Sequence, residues 1–87
     1  MIAPTLNLNG SGVRDLIDPR IAAYDFLDSA MLELQKVTPH GRDYLGDTDL
    51  WAKDLEAHFG RMNQIRIIMI DLMAEAATIQ EQDNVRS

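Results

Sequence analysis

The stretch TPHGRDYLGD, residues 38–47, decides the fold of this chain. Pro39 disfavours helical geometry at the residue before it, and two glycines follow. On both sides of the stretch, apolar residues recur every three or four positions, which is typical of amphipathic α-helices. Two helices separated by a short break predict an all-α fold, an antiparallel helical hairpin with residues 38–47 as its loop.

The first helical segment is expected over residues 13–37, with Ser11 placed to cap its beginning. Inside it, Asp18 and Pro19 form a second helix-start signal, a capping side chain followed by proline. The segment is therefore either one kinked helix or two consecutive helices. The apolar positions that share one of its faces are Ile21, Tyr24, Leu27, Met31, Leu34 and Val37.

The second helix is expected over residues 48–82, with Asp47 or Thr48 as its cap. A helix of roughly 35 residues is about 50 Å long, whereas the part of the first segment after Pro19 is only about half that length. Residues 65–73, IRIIMIDLM, are apolar round most of the helix, so a short partner leaves apolar surface uncovered. We therefore predict a homo-oligomer. The expected interface residues are Leu55, Met62, Ile65, Ile68, Met69, Leu72 and Ile79.

The remaining residues predict a single helical domain with short ends. Residues 1–12 contain Pro4, glycines and turn-favouring residues, which indicate a short extended N-terminal arm, and residues 83–87 form a tail. A chain of 87 residues buries only about 60–65% of its unfolded surface. Because cysteine is absent, oligomerisation is the remaining way to gain stability. The alternative is that residues 13–17 fold back over the second apolar face.

Charge and hydropathy exclude several classes of partner. With 14 acidic and 8 basic residues, the net charge is −6, which opposes general binding to nucleic acid. No apolar run approaches the roughly 20 residues that span a membrane, and no basic stretch precedes an apolar one near the start. We expect a cytoplasmic protein. The acidic residues expected to form a solvated face are Asp25, Asp28, Glu33, Asp54, Glu56, Asp71 and Glu75.

No catalytic signature is present, so we expect neither an enzyme nor a cofactor. The serines have no evident histidine and carboxylate beside them, and no glycine-rich loop precedes a helix. Asp54 and His58 are one helical turn apart, as metal ligands can be. A seam histidine that is hydrogen-bonded across an interface explains His58 better, and we expect no metal site.

A cationic and aromatic set suggests a ligand site instead. The residues are His40, Arg42, Tyr44, His58 and Arg61. Arginine binds phosphate oxygens in a fork, and a tyrosine ring stacks on a base. The alternative is that Arg42 and Asp43 brace the loop and that Arg61 and Arg66 pair with carboxylates of another subunit.

The expected distances place this pocket between subunits. His58 lies about ten residues into the second helix, roughly 15 Å along its axis from the loop. Side chains of one chain would hardly bridge that span. A two-fold neighbour that brings its own loop beside His58 and Arg61 would give two equivalent sites.

Three motifs resemble a known group of proteins. They are LNG at residues 8–10, HGRDY at residues 40–44 and AHFGRM at residues 57–62. The pattern is similar to that of short, largely uncharacterised bacteriophage and prophage accessory proteins, which have an LNG-type start, an HGRDYY-like loop and an EHRAR-like second helix. Leu45 stands where a second tyrosine is usual, Ala57 where a glutamate is usual, and Gly12 departs from the usual lead-in. The positions that the resemblance marks as special are His40, Gly41, Arg42, Asp43, Tyr44, His58 and Arg61.

The resemblance implies a non-enzymatic phage protein that counters host defence in the cytoplasm of the host cell. The first hypothesis is that it sequesters a nucleotide immune signal in pockets between subunits. The second is that it inhibits a host enzyme or immune complex by binding it, and the third is a structural or assembly role in the virion.

Overall fold

The computed structural model describes residues 12–86, and these form two long α-helices joined through a short 3₁₀ turn. Helix α1 spans Val13–Gln35, the 3₁₀ turn spans Gly41–Tyr44, and helix α2 spans Thr48–Arg86. The described residues contain no strand, so the prediction of an all-α helical hairpin is confirmed. The predicted extended arm and the capping role of Ser11 lie outside the described residues.

Helix α1 is a single helix that continues through Pro19, which decides between the two alternatives left open by the sequence. Proline has no amide hydrogen, so one helical hydrogen bond is missing at this point. Arg20 donates from Nη1 to the Leu16 carbonyl at 2.7 Å in the same turn. The helix ends at Gln35, before the expected Val37, because the amides of Lys36 and Val37 bond three residues back.

Helix α2 has 39 residues and extends to Arg86, beyond the predicted end at Gln82. Its start matches the sequence prediction, since Asp47 Oδ1 accepts a hydrogen bond from the Leu50 amide at 3.0 Å, as a capping side chain does. Near the other end, Gln80 donates to Asn84 at 3.1 Å, one turn further on. Polar residues there prolong the helix because neither glycine nor proline interrupts it.

The two helices pack antiparallel through an apolar seam. Ile17 of α1 packs with Ala76 and Ile79 of α2, with Val13 and Leu16 beside them. Since α1 begins at Val13 and is not divided at Pro19, it is long enough to lie along more than half of α2. Residues 13–17 therefore cover α2 as the first turn of α1 and not as a separate segment that folds back.

This packing changes the interpretation of the predicted oligomer interface. Met62, Met69 and Ile79 are buried within the single chain. Leu55, Ile65 and Leu72 are half-buried, and Ile68 alone of the seven residues is exposed. The heptad pattern thus marks a buried stripe, but the first helix of the same chain occupies it. Of the predicted interface residues, Ile68 is the one still open to a second copy, so a larger surface for self-association has to include other residues.

A buried ion pair crosses the seam where the sequence suggested a solvated face. Glu75 is only 7% exposed, and its Oε1 accepts a hydrogen bond from Arg20 Nε at 3.0 Å. The expectation for Glu75 was wrong because the residue lies at the seam, where Arg20 of α1 holds its carboxylate. No helix among the described residues is long and apolar enough to cross a lipid bilayer.

Candidate ligand-binding groove

The loop between the helices is a compact, hydrogen-bonded turn. The Asp43 amide bonds to the His40 carbonyl at 3.0 Å, and the Asp47 amide bonds to the Tyr44 carbonyl at 2.9 Å. Leu45 and Gly46 both have positive φ, at 48° and 87°. These two left-handed residues turn the chain sharply, so the 3₁₀ turn lies back against the first turns of α2.

Trp51 fastens this turn to α2. Its indole Nε1 donates to the Pro39 carbonyl at 3.0 Å, and its ring lies under Gly41, where an added Cβ would be 3.7 Å from the ring carbons. The sequence reasoning missed Trp51. The available signal was a large aromatic residue on the first turn of a helix, one turn after its cap.

A carboxylate of α2 holds the side chain of Tyr44 in place. Its hydroxyl donates to Asp54 Oδ2 at 2.8 Å. That hydrogen bond raises the pKa of Tyr44 above its ordinary value of 10.0, with smaller contributions from desolvation and from the charges of Asp54 and Asp43. Asp54 therefore serves as the hydrogen-bond acceptor that positions the Tyr44 hydroxyl.

His58 joins the start of the loop to Arg61. The Thr38 hydroxyl donates its single proton to the Gln35 carbonyl at 2.8 Å, so it accepts from His58 Nε2 at 3.2 Å. His58 Nδ1 is then free of a proton and accepts from Arg61 Nε at 3.1 Å and Nη2 at 2.6 Å. The hydrogen-bond pattern assigns His58 as the neutral tautomer with its proton on Nε2.

These contacts surround an open groove of about 340 Å³. Its size lies at the lower end of the range for small-molecule sites. The residues that line it are Val37, Pro39, Tyr44, Asp54, Ala57, His58 and Arg61.

The groove contains three of the five predicted ligand residues. Tyr44, His58 and Arg61 line it, whereas His40 and Arg42 are exposed on the turn outside it. The expectation that one chain could not bring loop and helix together was wrong. The loop folds back along α2, and Thr38, at the start of the loop, reaches His58 directly.

Arg61 gives the groove its capacity for anions. Its side chain is exposed, and no carboxylate of the described part of the chain forms an ion pair with it. Two of its five N–H groups bond to His58, which leaves three for another acceptor. Asp54 opposes this with a negative charge, so the groove suits a ligand that carries both an anionic and a hydrogen-donating group.

The same contacts bear on the metal interpretation of Asp54 and His58. Among residues 12–86, no three histidine, cysteine, aspartate or glutamate side chains are grouped as metal ligands would be. Asp54 accepts the Tyr44 hydroxyl, and both ring nitrogens of His58 are hydrogen-bonded. The structure therefore provides a hydrogen-bonding function for each residue.

Comparison with known proteins gives no relative for this groove. No protein-family model, no curated protein and no solved structure matches the chain. The resemblance to phage accessory proteins therefore rests on the three sequence motifs alone, and function has to be argued from the groove and from the exposed surface of the hairpin.

Proposed function

We propose that this chain is a non-catalytic binding protein that sequesters a nucleotide-like ligand in the groove beside Arg61. The observation that carries the proposal is the guanidinium of Arg61, which is held in place by His58 and has no carboxylate partner among the described residues. A pre-positioned arginine loses less side-chain freedom when it binds a phosphate, and it bonds two phosphate oxygens at once.

The other walls of the groove suit the remainder of such a ligand. Tyr44 and Pro39 offer flat apolar surface to a base or a sugar, and the bond from Tyr44 to Asp54 fixes the ring. The second oxygen of Asp54 can accept a hydrogen bond from a sugar hydroxyl or an amino group. Its charge also disfavours ligands with many phosphates near it, which directs the proposal towards a mononucleotide or cyclic nucleotide.

The biological part of the proposal follows from the motif resemblance. A phage-encoded protein that binds such a ligand without turning it over would lower the concentration of a nucleotide immune signal in the host cytoplasm. Sequestration needs as many binding sites as signal molecules, and one groove per chain supplies them in a monomer or a homo-oligomer alike.

The proposal is tested by thermal shift and calorimetry against a panel of linear and cyclic nucleotides. A ligand at 100 times its dissociation constant stabilises the folded protein by about 2.7 kcal/mol. Arg61→Ala should abolish the shift, while the matched control Arg42→Ala, which removes an arginine outside the groove, should keep it. Absence of a shift with every nucleotide, or equal loss in both variants, would contradict the proposal.

A second candidate, inhibition of a host protein by direct binding, is favoured by the exposed apolar side chains. Phe26 is 78% exposed on α1, and Ile70 is 61% exposed on α2. Surfaces of this kind usually mark an interface. Stable capture of one host protein, lost on Phe26→Ser and unaffected by Arg61→Ala, would favour this function over nucleotide binding.

A further inference from the structure

An exposed apolar face runs along the hairpin on the side away from the groove. On α2, Phe59 lies about 160° round the helix from Arg61, which lines the groove. Met73 lies two heptad repeats beyond Phe59 and shares its side. We call this surface the Phe59 face. It consists of Phe59, Ile70 and Met73 from α2 and Ile21 and Leu32 from α1, all of them exposed.

The two helices contribute to the same face because they run antiparallel. Phe59 directly follows the buried His58, and Ile21 directly follows the half-buried Arg20. Both helices are right-handed and they run antiparallel, so the residue that follows an inward-facing position emerges on the same side of the hairpin in each. The Phe59 face therefore spans both helices as one surface.

Charges at the centre of this face are divided between the helices. Arg66, midway between Phe59 and Met73, is exposed on α2, while Asp25 and Asp28 are exposed on α1. The contacts of Arg20 with Glu75 and of Thr38 with His58 set the antiparallel register. They place Asp28 within about two residues, or roughly 3 Å along the axis, of the level of Arg66.

These charges form no ion pair within the described part of the chain. Other charged residues of the hairpin do form ion pairs, which join Arg14 to Asp18, Arg20 to Glu75 and Lys36 to Glu33. Arg66 and Asp28 belong to none of them. An arginine among isoleucine and methionine side chains, with carboxylates at the same level of the neighbouring helix, is a self-complementary pattern.

We infer that a second copy of this chain covers the Phe59 face, with the two-fold axis parallel to the helices. Each α2 then lies antiparallel against α1 of the other copy, as neighbouring helices do in an antiparallel four-helix bundle. Arg66 of one copy meets Asp28 and Asp25 of the other, and the two-fold axis produces a second, equivalent contact. The apolar side chains fill the space between the charged pairs.

The charge pattern discriminates against the other face-to-face arrangement. A two-fold axis perpendicular to the helices stacks α2 on α2 and α1 on α1. When Phe59 then faces Met73, Arg66 lies beside Arg66 and the carboxylates of the two α1 helices lie together. Such like-charge contacts are unfavourable. The arrangement we infer also leaves both grooves open on the outer sides of the dimer.

This inference deepens the oligomer part of the proposed function and does not depend on what the groove binds. Its test uses Arg66→Glu and Asp28→Arg, alone and mixed, with Arg42→Glu as a control for charge reversal outside the face. Light scattering gives the mass in solution, and native mass spectrometry separates homodimers from heterodimers by mass. Circular dichroism checks that each variant keeps its helices.

We expect each single variant to dimerise at least tenfold more weakly than the wild type, because both of its symmetric charge contacts become repulsive. An equimolar mixture should form a one-to-one heterodimer of wild-type affinity. At one of its two contacts the introduced glutamate faces the introduced arginine, and at the other the unchanged Asp28 faces the unchanged Arg66. Arg42→Glu should dimerise normally.

Three outcomes would overturn the inference. A mixture that stays monomeric while the wild type dimerises would reject this arrangement but leave self-association and nucleotide binding standing. Single variants that dimerise as tightly as the wild type, with a heterodimer of Arg66→Glu and wild type that is tighter than the wild-type homodimer, would identify the α2-on-α2 arrangement. A wild-type monomer at micromolar concentration would reject self-association as well, and the groove would still be tested separately by its nucleotide panel.

Discussion

His58 Nε2 donates a hydrogen bond to the Thr38 hydroxyl at 3.2 Å, and this contact joins the start of the loop, three residues after the first helix, to the third turn of the second. His58 is only 2% exposed, so its ring has almost no access to water. The contact makes the loop, the helix pair and the groove parts of one hydrogen-bonded unit, because Arg61 is held by the other nitrogen of the same ring.

Thr38→Val should therefore destabilise the fold, since valine keeps the shape of threonine and removes the oxygen. A buried His58 N–H without an acceptor costs about 1–3 kcal/mol. Urea denaturation followed by circular dichroism measures the change. Thr78→Val is the control, because Thr78 bonds only to its own helix at an exposed position, and it should change stability by no more than about 0.5 kcal/mol. Equal effects from both variants would show that the contact contributes little.

Leu45→Asn should stabilise the protein. Leu45 has a φ of 48° and is 97% exposed, so it has the strain of a left-handed residue without the benefit of burial. The left-handed conformation costs a residue other than glycine about 1–2 kcal/mol, and asparagine tolerates it better. We expect a gain of about 0.5–1 kcal/mol in chemical denaturation. Leu50→Asn, an exposed leucine in helical geometry, should give no gain.

How far the sequence predicts this fold depends on the range of the signals. Pro39 and the glycines locate the loop and Asp47 locates the start of α2, because turn and cap preferences are local. The heptad pattern finds the buried stripe that includes Met62 and Ile79, but periodicity does not reveal which helix covers it. Which helix covers the stripe depends on whether α1 continues through Pro19, and tertiary packing decides whether it does.

The groove was only partly predictable for a similar reason. Tyr44, His58 and Arg61 stand out by residue type, and the structure brings them together. A distance counted along α2 alone placed Tyr44 too far from His58 and Arg61, because it did not include the return of the loop along the helix. Trp51 had a local signal that was overlooked, whereas the pairing of Arg20 with Glu75 left none, because its partners are 55 residues apart in sequence.

Tyr44 should titrate above an ordinary tyrosine. Its hydrogen bond to Asp54 raises its pKa in the folded state. Absorbance at the tyrosinate band in a Tyr24→Phe background isolates Tyr44, and Asp54→Asn should bring its pKa back towards the ordinary value. An unchanged titration in Asp54→Asn would mean that the hydrogen bond is absent in solution.

The same shift sets the sign of a stability change in alkali. A pKa that is higher in the folded state contributes stability that is fully present below the unfolded value, about 10, and is lost as pH rises through the folded value. The wild type should therefore lose stability from about pH 10 upwards, and Asp54→Asn should show a smaller loss over the same window. Denaturation midpoints at about pH 9 and about pH 11, on either side of that value, test this. A wild type that gains stability between them would contradict it.

The pair of Arg20 and Glu75 should show the asymmetry of buried charges. Arg20→Met leaves a carboxylate that is 7% exposed without its cation, and breaking such a pair from one side costs about 3–5 kcal/mol. Replacing both residues, in Arg20→Met with Glu75→Leu, removes both charges and fills the same space with apolar groups, which is often neutral or stabilising. The double variant should therefore be more stable than Arg20→Met alone, with a coupling energy well above the roughly 0.2–1 kcal/mol of exposed pairs.

Arg14→Met with Asp18→Leu is the matched control, because that pair is exposed at both ends. A double-mutant cycle by urea denaturation measures both couplings. Similar small values for the two pairs would mean that water reaches Glu75 in solution, and that the seam of the hairpin is less tightly closed at this end than the packing of Ile17, Ala76 and Ile79 indicates.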